Sequence, residues 1–270
     1  MLGIARAGTC ITRWAAVASL VIFALGTSAT ASATTGDISN LPSCGSEGSD
    51  CSFEVSLNGQ TLGTGNYLIG DNGDLSLPAD QNFTTRDGSF INVTGISGNA
   101  DPILGFSASA GTGNSGAAFV FSFSLPISLA GPVAANSQVS YSLTAKTDAG
   151  AEIKPLLKGN HIMEGLDVDT SVGGLPSLNK HVGAGDKFTI APGIGIFPRT
   201  ENSAVFSAAN SFITNAAYDQ MTVVVAFALS PNSEVGLSGF VQQVPEPSVY
   251  SGLAAGLLFV GFVVRRRLVV

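Results

Sequence analysis

Few residues in this 270-residue chain combine the type and spacing that chemistry demands. His161 and His181 are the only histidines, and neither sits in an H-E-x-x-H pair or a His-rich cluster, so no motif supports a zinc site. Serines are plentiful, but residues 34–243 contain no G-x-S-x-G elbow from which a nucleophile could act. Gly111-Thr112-Gly113-Asn114-Ser115-Gly116 matches G-x-G-x-x-G. A dinucleotide site needs the last glycine to open a helix, whereas Phe119, Phe121 and Phe123 alternate as in a strand, so the stretch reads as a Gly-rich hairpin loop. Asp71, Asp74 and Asp80, or Asp167 and Asp169, offer hard oxygen ligands, for which extracellular calcium is the plausible ion. Neither run has the spacing of a calcium loop, and aspartate is common in turns because it caps backbone donors. The residues select no catalytic, cofactor-binding or metal-binding group, and the chain reads as no enzyme. Paired carboxylates for glycoside hydrolysis are a spatial arrangement that sequence does not reveal.

The two ends are more informative. Residues 1–13 carry Arg6 and Arg13 and no acid, residues 14–25 are apolar or small, and Ala31-Ser32-Ala33 offers an A-x-A cleavage site. Twelve helical residues rise about 18 Å, too little for a hydrocarbon core of about 30 Å, so residues 1–33 read as a secretory signal peptide cut before Thr34. At the other end Pro245, Glu246 and Pro247 precede an uncharged apolar run, 249–264, which is followed by Arg265, Arg266 and Arg267. This run just reaches the lower limit for a spanning helix, and the arginines hold its end in the cytoplasm. Both ends then place the intervening region across the membrane.

These C-terminal residues resemble the PEP-CTERM sorting tail of Gram-negative bacteria that make exopolysaccharide. The resemblance covers residues 244–270: the motif at 244–248, the transmembrane helix at 249–264 and the basic end at 265–270. The N-terminal segment implies export by the general secretory translocon and signal peptidase processing, and the resemblance implies recognition by an exosortase-like membrane protease that releases the protein toward the cell surface or extracellular matrix. The resemblance specifies routing and no activity. The prolines remove backbone donors and disfavour helix before them, which suits an extended segment open to a peptidase.

Residues 34–243 are the exported domain. They hold seven basic residues and eighteen of the nineteen acids, a net charge of −11, which excludes nucleic-acid binding through a basic face. Cys44 and Cys51 are the only cysteines left after signal removal, in a Gly/Ser-rich stretch, and a disulfide is the natural reading in an oxidising compartment. A metal site or catalytic thiol is the rival reading, without a nearby histidine or second cysteine pair. Period-two alternation recurs from Phe53 to Phe240, with Asn72-Gly73 and Asp87-Gly88 as turns. Phe206, Ala209, Ile213 and Ala216 have helical spacing, so 202–219 is expected to be a helix. The whole predicts an all-β antiparallel sandwich, jelly-roll or immunoglobulin-like.

A non-catalytic structural or adhesive role, for instance in biofilm matrix, fits this reading, and binding of the cell's own exopolysaccharide is the alternative. Sugars want exposed aromatic faces, but Trp14 leaves with the signal peptide. Tyr67, Tyr141 and Tyr218 remain as candidate platforms, and the phenylalanines read mostly as core.

Overall fold

The computed structural model describes residues 50–70, 74–99, 102–127, 131–168, 182–214 and 220–245. Among them the chain forms sixteen strands and no helix. In chain order these are β1 (Asp50–Leu57), β2 (Gln60–Ile69), β3 (Leu75–Ser76), β4 (Gln81–Thr84), β5 (Phe90–Asn99), β6 (Ile103–Gly111), β7 (Ala117–Pro126) and β8 (Gly131–Ala145). There follow β9 (Ala151–Pro155), β10 (Met163–Val168), β11 (Val182–Ala184), β12 (Phe188–Ile190), β13 (Arg199–Asn202), β14 (Phe206–Thr214), β15 (Gln220–Leu229) and β16 (Ser233–Pro245). Their pairings are antiparallel, in the order β11-β10-β15-β7-β1-β2-β3-β5-β6-β16-β8-β13. The strands β2, β3 and β5 carry the ladder from one half to the other, so the sheet is continuous and curls as a half-barrel.

The core lies inside this curl. Alternation puts Phe119, Phe121, Phe123, Val223 and Val225 on one inner wall and Leu104, Phe106, Val139, Leu237 and Val241 on the other, all buried. Phe106 of β6 meets Phe121 and Phe123 of β7 edge-on, with ring centroids 5.5 and 5.8 Å away. The halves touch closely enough that a Cβ on Gly165 would lie 2.5 Å from Val241.

Turn chemistry sets the register at one end. Asn58 and Gly59 both have positive φ, 52° and 77°, the conformation that a two-residue hairpin between β1 and β2 requires. The Asn58 side chain also accepts from the Ala118 amide at 2.8 Å and ends the β1–β7 ladder. At the opposite end the chain enters at Asp50 and leaves at Pro245. Leu57 pairs with Phe119, near the β7 end that pairs with Leu229, and Leu229 and Ser233 flank the short β15–β16 turn. β1 therefore begins, and β16 ends, at the end of the sheet away from that turn.

Two expectations are corrected. Residues 206–214 form β14, registered along β8 from Phe206↔Val139 to Thr214↔Gly131. Phe206, Ala208 and Phe212 pack on the core with period two, and the free edge of the 15-residue β8 supplies ladder partners that a helix would forgo. The Gly-rich loop 111–116 is not a hairpin: β6 pairs with β5 and β16, while β7 pairs with β1 and β15, so the loop crosses from one half to the other.

Candidate functional site

The residues singled out by sequence do not converge. Tyr67 is fully buried, its hydroxyl donating to the Ser124 carbonyl at 2.6 Å and accepting from the Ser124 amide at 2.9 Å. Tyr141 is 3% exposed, donates to the Asp186 carbonyl and stacks on Phe206. Neither presents a face to a sugar. Burial raises both phenol pKa values, and the Asp186 charge raises that of Tyr141 further. Cys51 is a core residue of β1, 1% exposed and disulfide-bonded.

The G-x-G-x-x-G loop is locked onto the protein itself. The Thr112 hydroxyl donates to the Ser230 carbonyl at 2.6 Å and accepts from the Ser233 amide at 3.1 Å, while the Asn232 amide donates to Gly113 at 2.7 Å. A Cβ on Gly113 would lie 2.3 Å from the Asp87 carbonyl oxygen and one on Gly116 2.9 Å from that of Leu229. The glycines are there for close approach of backbone to backbone rather than to a phosphate.

Among the described residues no three His, Cys, Asp or Glu side chains gather as a metal cage. Asp167 is buried in β10 and accepts from the Gln243 amide; Asp74 sits at the start of β3. His161 lies in a tight turn beside Leu157, its ring against Gly183. Pro245 closes β16 opposite Val133. Ala31, Ala33, Cys44, Asp71, Asp169, His181, Tyr218, Glu246, Pro247, Arg265, Arg266 and Arg267 lie outside the described residues, as do the expected signal peptide and spanning helix. Among the described residues no helix is long and apolar enough to cross a membrane.

A different surface is hollowed: the outer face of β5-β6-β16-β8. Two adjoining hollows of about 520 and 540 Å³ share Ser140, Ser238 and Val205 and form one open groove. The register aligns Ser107, Ser238 and Ser140 across three strands, with Ser109, Gly236 and Ser142 as the next outward row. Ser140 and Ser238 hydroxyls lie 3.3 Å apart, and Thr94 donates to the Ser107 hydroxyl at 3.1 Å. Each hydroxyl retains further donor or acceptor capacity. Phe240, partly exposed, lines the groove beside Gln138, Asn99 and Asp74, and Val205, 58% exposed, lines the side facing β8.

Sequence reasoning missed this site, although one signal was present. Val235, Leu237 and Val241 are buried on the inner face, and Phe240 is out of phase with them. Such a phase break puts an aromatic ring on the outer surface.

No protein family matches the chain, and no curated protein matches it. Among solved structures it is weakly similar to the enzymatically active domain of bacteriophage CBA120 tailspike protein 4, with a TM-score of 0.18 and 9% identity over 71% of this chain and 19% of that one. A structure of infectious bursal disease virus, Gx strain, gives a TM-score of 0.15 and 10% identity over 86% and 92%. The chain spans about a fifth of the tailspike domain's length.

Proposed function

We propose that the chain is an exported, non-catalytic surface or extracellular-matrix protein, sorted through residues 244–270 by an exosortase-like protease and transiently anchored in the inner membrane. In this reading the curled sheet is a two-layered sandwich, jelly-roll or immunoglobulin-like in layout, between a signal peptide and a C-terminal spanning helix. The observation that carries the proposal is the common exit of Asp50 and Pro245 at one end of the sheet. A tail anchored beyond Pro245 would hold that end near the membrane and set the turn at Asn58-Gly59 on the far side. Cys44 is the natural partner for Cys51 in the oxidising compartment such a route reaches. Mass spectrometry of native protein from cell and medium fractions tests the reading. It predicts a new N-terminus at Thr34, a C-terminus near Pro247 in the released form, and two fewer hydrogens at the cysteines; a chain intact from Met1 to Val270 in the cytosol would refute it.

The outer groove favours a second reading, a module that binds the cell's own exopolysaccharide. Hydroxyls and amides beside one aromatic ring suit a ligand rich in hydroxyls.

A further inference from the structure

The geometry points to the groove over β5-β6-β16-β8 as a binding site for a neutral glycan strand, stacked on Phe240 and hydrogen-bonded by the serine rows and Gln138. This rests on the second reading and assigns it a place, a ligand class and residues.

Three observations define the ligand. The groove is a sheet face rather than a free edge, so its backbone groups are already engaged in ladders and a peptide has no strand to extend. Recognition falls to side chains, and the polar ones are small hydroxyls with Gln138, Asn99 and Asn202, whose amides both donate and accept as sugar hydroxyls do. No lysine or arginine lines either hollow, and Asp74 stands at one end. An anionic polymer would meet a carboxylate and no cation, whereas a neutral one has no charge to neutralise.

Shape agrees with the chemistry. From Gly236 to Phe240 the groove follows five residues of β16, about 13 Å, and stays open along its length, as a site for an internal stretch of polymer should. Gly105, Gly236 and the serines keep the floor low, so that Phe240 is the aromatic surface a ring can lie on.

Affinity electrophoresis of the mature chain through gels containing dextran, a linear β-glucan, the polysaccharide extracted from the producing cells, or alginate as the anionic comparison tests the site. Retardation is expected in at least one neutral gel and not in alginate. Ser238→Leu fills the centre of the groove from an exposed position, so it should leave thermal unfolding unchanged and weaken retention by at least about tenfold. Phe240→Ala should weaken it similarly. Retardation in a neutral gel that Ser238→Leu leaves intact would overturn the groove while keeping polysaccharide binding; retardation in alginate alone, or in no gel, would overturn both.

Discussion

The Tyr67 hydroxyl occupies the place of a missing strand partner, bonding both the carbonyl and the amide of Ser124. β1 pairs with β7 only from Glu54↔Ser122 to Leu57↔Phe119, so among the described residues no strand lines that edge of β7 beyond Ser122. The phenol reaches from β2, packed beside Phe53, and satisfies both backbone groups inside the core. Tyr67→Phe keeps the ring and orphans two buried groups, at about 1–3 kcal/mol each. Urea unfolding should show a loss of at least about 1 kcal/mol; an unchanged midpoint would mean that the β7 edge finds water or a new partner.

The same burial sets an alkaline limit. Tyr67 and Tyr141 keep their protons in the folded protein above the ordinary tyrosine value of about 10, while the unfolded chain releases them there. Stability is therefore whole below about pH 10 and falls as pH rises beyond it. Tyrosinate absorbance should appear together with loss of β circular dichroism rather than before it.

On the acid side, burial opposes ionisation of Glu152, but hydrogen bonds and charges from Lys154 and Lys187 outweigh it and lower the pKa. This contribution is present above the ordinary glutamate value and is lost as pH falls through the lowered one. Both lysines are more than half exposed, so the whole is about 0.2–1 kcal/mol. Glu152→Gln should lower thermal stability slightly at neutral pH and converge on the parent in acid.

Two glycines separate packing from flexibility. Gly113→Ala drives a methyl into the Asp87 carbonyl and should cost about 1–3 kcal/mol. Gly193→Ala meets nothing within 4 Å and should change stability by no more than about 0.5 kcal/mol. Equal losses in calorimetry would contradict the close approach.

Much of the sheet is legible in the sequence because one face of most strands is buried. Phe53-Val55-Leu57 and Phe119-Phe121-Phe123 declare β1 and β7 by alternation alone. Asn58-Gly59 is an equally plain turn signal, overlooked beside Asn72-Gly73. Residues 206–214 misled because alanine, serine and asparagine are compatible with either period, and the choice was made by the distant edge of β8. The loop 111–116 misled for a related reason: local residues announce a turn, but which strands it joins is decided by contacts across the core. The groove was hidden because it arises from small outward residues on four strands, none notable alone, and Phe240 was its sole local mark.

Because Asp50 and Pro245 lie at the same end of the sheet, the opposite end carries neither flank. The tip at Asn58-Gly59, remote from both, is a place where added residues would burden neither flank.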